Sequence, residues 1–394
     1  MDIPILGMAY SQPLIKGAVI PIVCIDCRYI SDRPSGISEV VQGLVDHAPK
    51  LAPDLQFRLL RHPRRTMPLS AADNVTEHVV PVGPNSPATM WFLPEFAPLS
   101  GCDIFHATAN ILPSRLNMRT VTTIHDIMWL TSPKLCDPSA YGHVKRWFYA
   151  HGIRRALNQS DKIAAISKAT SDEIASFSSC TKDRTTVTRS GVSDRFEPAV
   201  RDDAVLACLG VAAGTKYALI VGQHAPYKNH EGALRAFAKA FAAEADAKLV
   251  FVQRQGPSSA PLVRLASELG IGARVIFAGN VDNDSLLQLY SNAALLLHPS
   301  LCEGFGNPIA EAMACGCPVI TSNISAMPEA AGGAAKLIDP SDAQSIAAAL
   351  LEVWHDPAQA LAMRDAGIAH AAELRWADFA RANVAIYWSL LAAV

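Results

Sequence analysis

Hydrophobic positions along the chain fall into two successive series. Short apolar runs at 19–27, 57–60, 79–82, 104–106, 121–124 and 161–166 alternate with longer stretches such as 37–51 and 168–177, where apolar residues recur at helical spacing. The runs predict strands and the longer stretches predict helices. A turn-rich segment at 31–36 follows the first strand. The second series opens near Lys216, with strands expected at 217–221, 248–253, 275–278, 294–298 and 318–321. Its helices are expected at 232–243, 261–269, 284–291, from Pro308, and then at 343–354, 358–371 and 376–391. Such alternation is what a parallel sheet with crossover helices requires. Between the series, 190–215 carries Gly191, Pro198, Gly210 and Gly214 and reads as a linker. The expected fold is α/β: two doubly wound, Rossmann-like halves facing across a cleft, with ligands at the carboxyl ends of the strands.

Composition agrees with two large cores. Of 394 residues half are hydrophobic and 18% are charged, which argues against disorder, collagen and disulfide miniproteins. The N-terminus has Asp2 and prolines where a secretory signal needs a basic region and a long apolar stretch. No apolar run reaches the roughly 18 residues of a membrane span. These features predict a cytoplasmic protein, at most peripheral on a membrane. The net charge of -2 gives no sign of a nucleic-acid partner. It averages a first half (1–200) with 21 basic and 18 acidic residues, +3, and a second half with 13 and 18, -5. The nine cysteines include Cys24 and Cys27 inside a predicted strand and Cys315 and Cys317 around a glycine. Neither pair has zinc-site company, so reduced thiols are expected.

The most informative stretch is 298–339, HPSLCEGFGNPIAEAMACGCPVITSNISAMPEAAGGAAKLID. A strand ends at His298, and a loop follows with Glu303, Gly304 and Gly306. Asn307 suits an N-cap, Pro308 a first helical position and Gly316 a helix end. The glycines let backbone N–H groups approach an anion, and the helix N-terminus adds positive partial charge. Glu303 and Glu311 can face one cleft and accept hydrogen bonds from two parts of a ligand. A plain capped strand–loop–helix turn is the other reading of the same residues.

The Glu-x7-Glu arrangement Glu303…Glu311 within EGFGNPIAEAMACGCPVI resembles the signature of retaining GT-B glycosyltransferases of family 4. The resemblance continues through PEAAGGAAKLIDP, RVIFAGNV, LLQLYSNA and VGQHAPYKNHEGALRAF, and, less specifically, through IDCRYISDRPSGISEVV, DIFHATANILP and TTIHDI. It implies a nucleotide-sugar donor. His125, Lys228 and Glu303 would form the catalytic set. Glu303 would bond the donor sugar and Glu311 the ribose. Gly304, the backbone amides of Phe305, Gly306 and Asn307, and Gly36 in an N-terminal glycine loop would meet sugar and diphosphate, and Lys228 would neutralise the diphosphate. Val281 would lie near the base, where Asp282 or Asp284 could accept from guanine or simply cap a helix. Gln223 stands where many relatives carry a phosphate-binding arginine, and Arg254 could substitute or be a plain surface cation.

The resemblance also implies retention of configuration without a metal or other cofactor. Residues 1–190, with the crossover helix 376–394, would bind the acceptor, and 191–375 the donor. The pattern looks most like bacterial mannosyltransferases of polysaccharide assembly, with GDP-mannose as donor and a glycan or polyprenyl-diphosphate-linked oligosaccharide as acceptor. A UDP-sugar with a soluble acceptor, or a non-catalytic binding subunit, are the alternatives. His106 reads as a polar strand end, and Asp126 as orienting His125 or capping the next turn. The basic clusters 58–65 and 143–155, the latter with Trp147, Phe148 and Tyr149, read as an anionic membrane or lipid-pyrophosphate contact or as ordinary amphipathic structure.

Overall fold

A computed structural model describes residues 20–31, 35–139, 141–254, 256 and 259–393. Of the expectations above, those on the N-terminal stretch with residue 19, on 32–34 of the turn-rich segment and on residue 394 lie outside the described residues.

The first series forms a parallel sheet of β1 (Ile22–Asp26), β2 (Gln56–Arg61), β3 (Val75–Val79), β4 (Ile104–Ala107), β5 (Arg119–Ile124), β6 (Lys162–Ala165) and β7 (Thr185–Val187), in the order β3-β2-β1-β4-β5-β6-β7. Around it lie α1 (Gly36–Leu51), α2 (Pro87–Phe96), the short α3 (Met128–Thr131) and α4 (Pro133–Cys136), α5 (Gly142–Gln159) and α6 (Lys168–Phe177). After α7 (Asp203–Cys208) the second sheet comprises β8 (Tyr217–Val221), β9 (Lys248–Val252), β10 (Val275–Gly279), β11 (Leu295–His298), β12 (Val319–Ser322) and β13 (Lys336–Ile338), in the order β10-β9-β8-β11-β12-β13. Its helices are α8 (His230–Ala240), α9 (Ala260–Glu268), α10 (Asn283–Asn292), α11 (Asn307–Ala314), α12 (Met327–Ala331), α13 (Ala343–His355) and α14 (Pro357–Ala371), and α15 (Trp376–Leu391) is the last of the described helices.

The central strands are buried on both faces, hence their continuous apolar runs. One departure falls at a sheet edge. The strand expected at 79–82 lies at Val75–Val79, because Pro81 lacks the ladder N–H and the true strand, VTEHV, is an edge strand tolerant of polar residues. Its Glu77 ion-pairs with Arg61 at 3.1 Å and accepts from Leu69 N–H at 2.6 Å. The segment 190–215 is more than a linker. It contains α7, whose Leu206 is fully buried in the second core. Val192 N–H donates to Leu374 O at 2.9 Å, so the two passages of chain between the sheets run side by side.

After that second passage α15 returns to the first sheet. Trp376, Phe379, Ala380, Val384, Ile386, Tyr387 and Leu390 pack into one core with Val23 and Ile25 of β1 and Val41 and Leu44 of α1. His106 fastens this helix: fully buried, it bonds Tyr387 Oη at 2.6 Å with one ring nitrogen and Thr123 Oγ1 at 2.8 Å with the other. Both nitrogens are used, so His106 is structural.

All nine cysteines are unpaired. Arg58 donates to Ser100 O, Arg61 to Arg65 O and Arg155 to Met90 O, so much of the two basic clusters serves the fold itself. The start of α5 nonetheless leaves Val144 and Trp147 exposed. Among the described residues no helix is long and apolar enough to cross a membrane.

Candidate functional site

The site is built on the carboxyl end of β11. Gly306 lies at φ +102°, a left-handed conformation that favours glycine, and it is the N-cap of α11. The cap expected at Asn307 is therefore one residue earlier. Asn307 begins the helix, with its Oδ1 3.4 Å from Ser190 Oγ. Because glycine has no side chain to cap with, no side-chain bond occupies the cap of α11. Gly36 at the start of α1 lies opposite: a Cβ placed on it would be 3.7 Å from Asn307 Nδ2. The N-termini of α1 and α11 thus converge from the two halves.

Glu303 anchors the charge network. Lys228 Nζ donates to its Oε1 at 2.5 Å, Ser300 Oγ at 2.9 Å, and His298 Nε2 is 3.2 Å away. Withdrawal from water opposes the charge, but Lys228 and His298 outweigh it and hold the carboxyl at about 2. Lys228 ends a single 3-10 turn, Pro226–Lys228, which is pinned by its neighbours. Tyr227 O accepts from Leu301 N–H at 2.7 Å, and the Asn229 side chain donates to Pro299 O and Pro340 O. Glu311, one turn into α11, has a different setting. Tyr290 Oη donates to its Oε2 at 2.8 Å, but burial dominates and pushes its carboxyl up to about 7.

The other expected donor residues are more peripheral. Gln223 Oε1 accepts from Arg254 N–H at 3.2 Å, tying the loops after β8 and β9, while the Arg254 residue itself is exposed. Val281 packs at the margin of the second core. Asp282 is the N-cap of α10 and accepts from Ser285 N–H at 2.8 Å, so its carboxylate serves the helix. Phe305 is buried in the core, which leaves its backbone rather than its ring to the cleft.

From the first sheet comes His125 at the end of β5. Its Nε2 donates to Thr108 O at 2.9 Å, and burial drops its pKa to about 4, so the ring is neutral with Nδ1 as an acceptor. Its backbone N–H donates to Asn110 Oδ1 at 2.7 Å. Asp126 accepts from Met128 N–H at 2.9 Å, the turn-capping role, and burial raises its carboxyl to about 6. A cavity of about 240 Å³ opens between Asp126, Trp129 and Cys136 on one side and Tyr227, Glu303 and Gly304 on the other. The halves touch here. A Cβ on Gly304 would fall 1.8 Å from His125 O, so glycine is required for this approach.

The structure therefore brings Gly36, His125, Lys228, Glu303, Gly304, Gly306 and Asn307 to one cleft, with Glu311 a turn deeper, and leaves Arg254 exposed beyond Gln223. Sequence reasoning assigned no role to His298, Ser300, Tyr290 or Ser325. The first two flank a strand end two positions apart, and Tyr290 lies in LLQLYSNA, so position relative to the strand ends could have singled them out.

Residues 208–370 match the family model described as glycosyl transferases group 1. The O-antigen chain mannosyltransferase B of Escherichia coli is 29% identical over 291 residues, 72% of this chain and 74% of that protein. The serotype-specific mannosyltransferase WbdA of Escherichia coli is 28% identical over 72% of this chain, which spans only 35% of that relative's length. Among solved structures, Anabaena Alr3699/HepE in complex with UDP and glucose aligns with a TM-score of 0.69 at 17% identity, covering 94% of this chain and 100% of that one. The chain has the GT-B fold, matches the glycosyl transferases group 1 model over residues 208–370 and resembles bacterial mannosyltransferases.

Proposed function

We propose that the chain is a retaining hexosyltransferase that moves mannose from GDP-mannose onto a glycan or a polyprenyl-diphosphate-linked oligosaccharide in polysaccharide assembly. The observation that carries the use of a nucleotide-sugar is the convergence of the α1 and α11 N-termini beside the Lys228–Glu303 pair. Backbone N–H groups of Gly306 and Asn307, the two helix ends and Lys228 are a fitting receptor for a diphosphate. Glu303, kept ionised, accepts from the sugar hydroxyls, and Glu311 accepts from the ribose. His125, neutral, offers Nδ1 as an acceptor toward the sugar. As the nucleoside diphosphate departs it gains negative charge, and donors fixed in advance stabilise that charge without a metal ion. The acceptor attacks from the face the diphosphate leaves, which retains configuration, and the departing phosphate takes its proton.

The half carrying the first sheet receives the acceptor. Val144 and Trp147, exposed beside Lys145 and Arg146, support a peripheral contact with an anionic cytoplasmic membrane face. Mannose is favoured by the names of the relatives. A UDP-sugar is the second reading, favoured by the UDP bound to the Anabaena neighbour. Thermal shifts with GDP, UDP, dTDP and ADP decide between them, since a ligand raises Tm by binding the folded state. GDP is expected to give the largest shift, and a larger one with UDP selects the second reading. Transfer from GDP-mannose is expected to survive EDTA and to yield the same anomer by NMR, and abolition by the chelator contradicts the metal-free mechanism.

A further inference from the structure

The segment AMPEAAGG follows β12 and forms the single-turn helix α12, with Glu329 in its first turn. Glu329 is largely buried, yet both its oxygens serve another helix. Oε1 accepts from Lys168 N–H at 2.9 Å and Oε2 from Ala169 N–H at 3.0 Å, the first two residues of α6 in the opposite half. Arg189 Nε lies 3.6 Å from Oε1. A carboxylate over the first N–H groups of a helix satisfies donors with no intrahelical partner and meets the positive end of the helix dipole.

The N-terminus held in this way carries the contacts that reach the site. Ser167, the N-cap of α6, donates from Oγ to Gly304 O at 2.7 Å. Thr170 Oγ1 lies 3.1 Å from the same carbonyl and 3.2 Å from His125 O. Four residues before Glu329, Ser325 Oγ accepts from Glu303 N–H at 3.1 Å and donates to Glu303 O at 2.8 Å. One segment after β12 therefore grips both the Glu303 backbone and, across the cleft, the helix that grips Gly304 and His125.

We propose that Glu329 is a positioning residue for glycosyl transfer: by fastening the N-terminus of α6 across the cleft it holds the Glu303–Gly304 loop in register with His125. It acts through Ser167 and Thr170, and its contribution is the closed geometry of the two halves. A loss of register of an ångström at a reacting centre costs on the order of 100-fold in rate.

The test uses the full chain with Glu329→Ala, the isosteric Glu329→Gln and Ser167→Ala. Turnover of Glu329→Ala is expected to fall about 10- to 100-fold, with Tm close to wild type and a smaller loss of nucleoside diphosphate affinity, because Lys228, Glu311 and the N-terminus of α11 stay in place while Gly36 moves with the opposite half. Small-angle scattering without ligand is expected to give a larger radius of gyration for Glu329→Ala. Glu329→Gln, which keeps acceptor oxygen but no charge, should fall between and covers the case in which the alanine variant fails to fold. Adding Ser167→Ala should cost little more than the worse single change, since both act along one path. Wild-type turnover and scattering in folded Glu329→Ala or Glu329→Gln overturn the proposal, as does a loss confined to Tm, or fully additive losses. The turnover arm rests on the transfer reading with GDP-mannose or UDP-glucose as the donor supplied. If wild type transfers from neither, that reading fails while the scattering arm still decides the latch.

Discussion

Glu303 and Glu311 belong to one segment, yet their surroundings drive their protons in opposite directions. The loop places Glu303 against a lysine, a serine hydroxyl and a histidine, and its carboxyl is held at about 2. The helix buries Glu311 against a tyrosine hydroxyl; burial, helped by the Glu39 charge, outweighs Tyr290, Arg195 and Lys228, and its carboxyl rises to about 7. A permanent charge suits a group that must accept hydrogen bonds whatever the pH. A carboxyl near neutrality suits one whose ligand completes its environment. The difference comes from what each side chain finds within hydrogen-bonding distance.

The strongest way to break the contrast is Lys228→Ala, which removes both the partner of Glu303 and the cation expected at the diphosphate. Turnover should drop on the order of 100- to 1,000-fold, and near-normal rates in a steady-state assay would mean that Arg254 or another cation carries the charge. Next, Glu311→Ala should weaken nucleoside diphosphate binding by about 10-fold or more, as expected when a charged acceptor is lost; unchanged affinity by calorimetry would remove its ribose role.

Glu311→Gln sharpens the point through pH. Wild-type affinity should rise as pH climbs through about 7 and Glu311 ionises, and the amide variant should be flat there. Stability follows with opposite signs. The raised Glu311 contributes stability that is full below its unfolded value and lost as pH rises through about 7. The depressed Glu303 contributes stability present above its unfolded value and lost as pH falls toward about 2. Melting curves from pH 2 to 8 on the Glu303→Gln and Glu311→Gln variants separate the two. The smallest effect is expected for Gln223→Arg, a restored but exposed cation that should tighten diphosphate binding only a few-fold.

Much of this was legible in the sequence because the apolar runs are buried on both faces. The runs at 104–106, 121–124 and 217–221 come out as central strands. What escaped is short, at an edge or weakly patterned, as in α2, where Pro94 and a kink at Phe92 interrupt the helical periodicity. The strands at Lys336–Ile338 and Thr185–Val187 and the helices at Met327–Ala331 and Asp203–Cys208 are too brief for periodicity to register. The site divides in the same way. Glu303, Glu311 and Lys228 announce themselves by charge and spacing. Ser167, Thr170, Ser325 and Glu329 act through contacts between residues far apart in the chain, up to 161 positions for Glu329 and Lys168. Local pattern contains no trace of those. The cap at Gly306 in place of Asn307 shows the same limit, since a left-handed backbone angle is set by the packing around it.

The return of α15 to the first sheet bears on how the chain is made. On a ribosome β1 to β7 emerge without the helix that covers half their core, and at roughly 5–20 residues per second the wait for it is on the order of 10–40 s. The second sheet, made later, has all its strands out before α15 appears. Vectorial synthesis therefore hands the earlier half the later completion. Until Tyr387 reaches His106, 281 residues upstream, the nascent first half presents the bare face of β1 and α1 to whatever chaperones meet it.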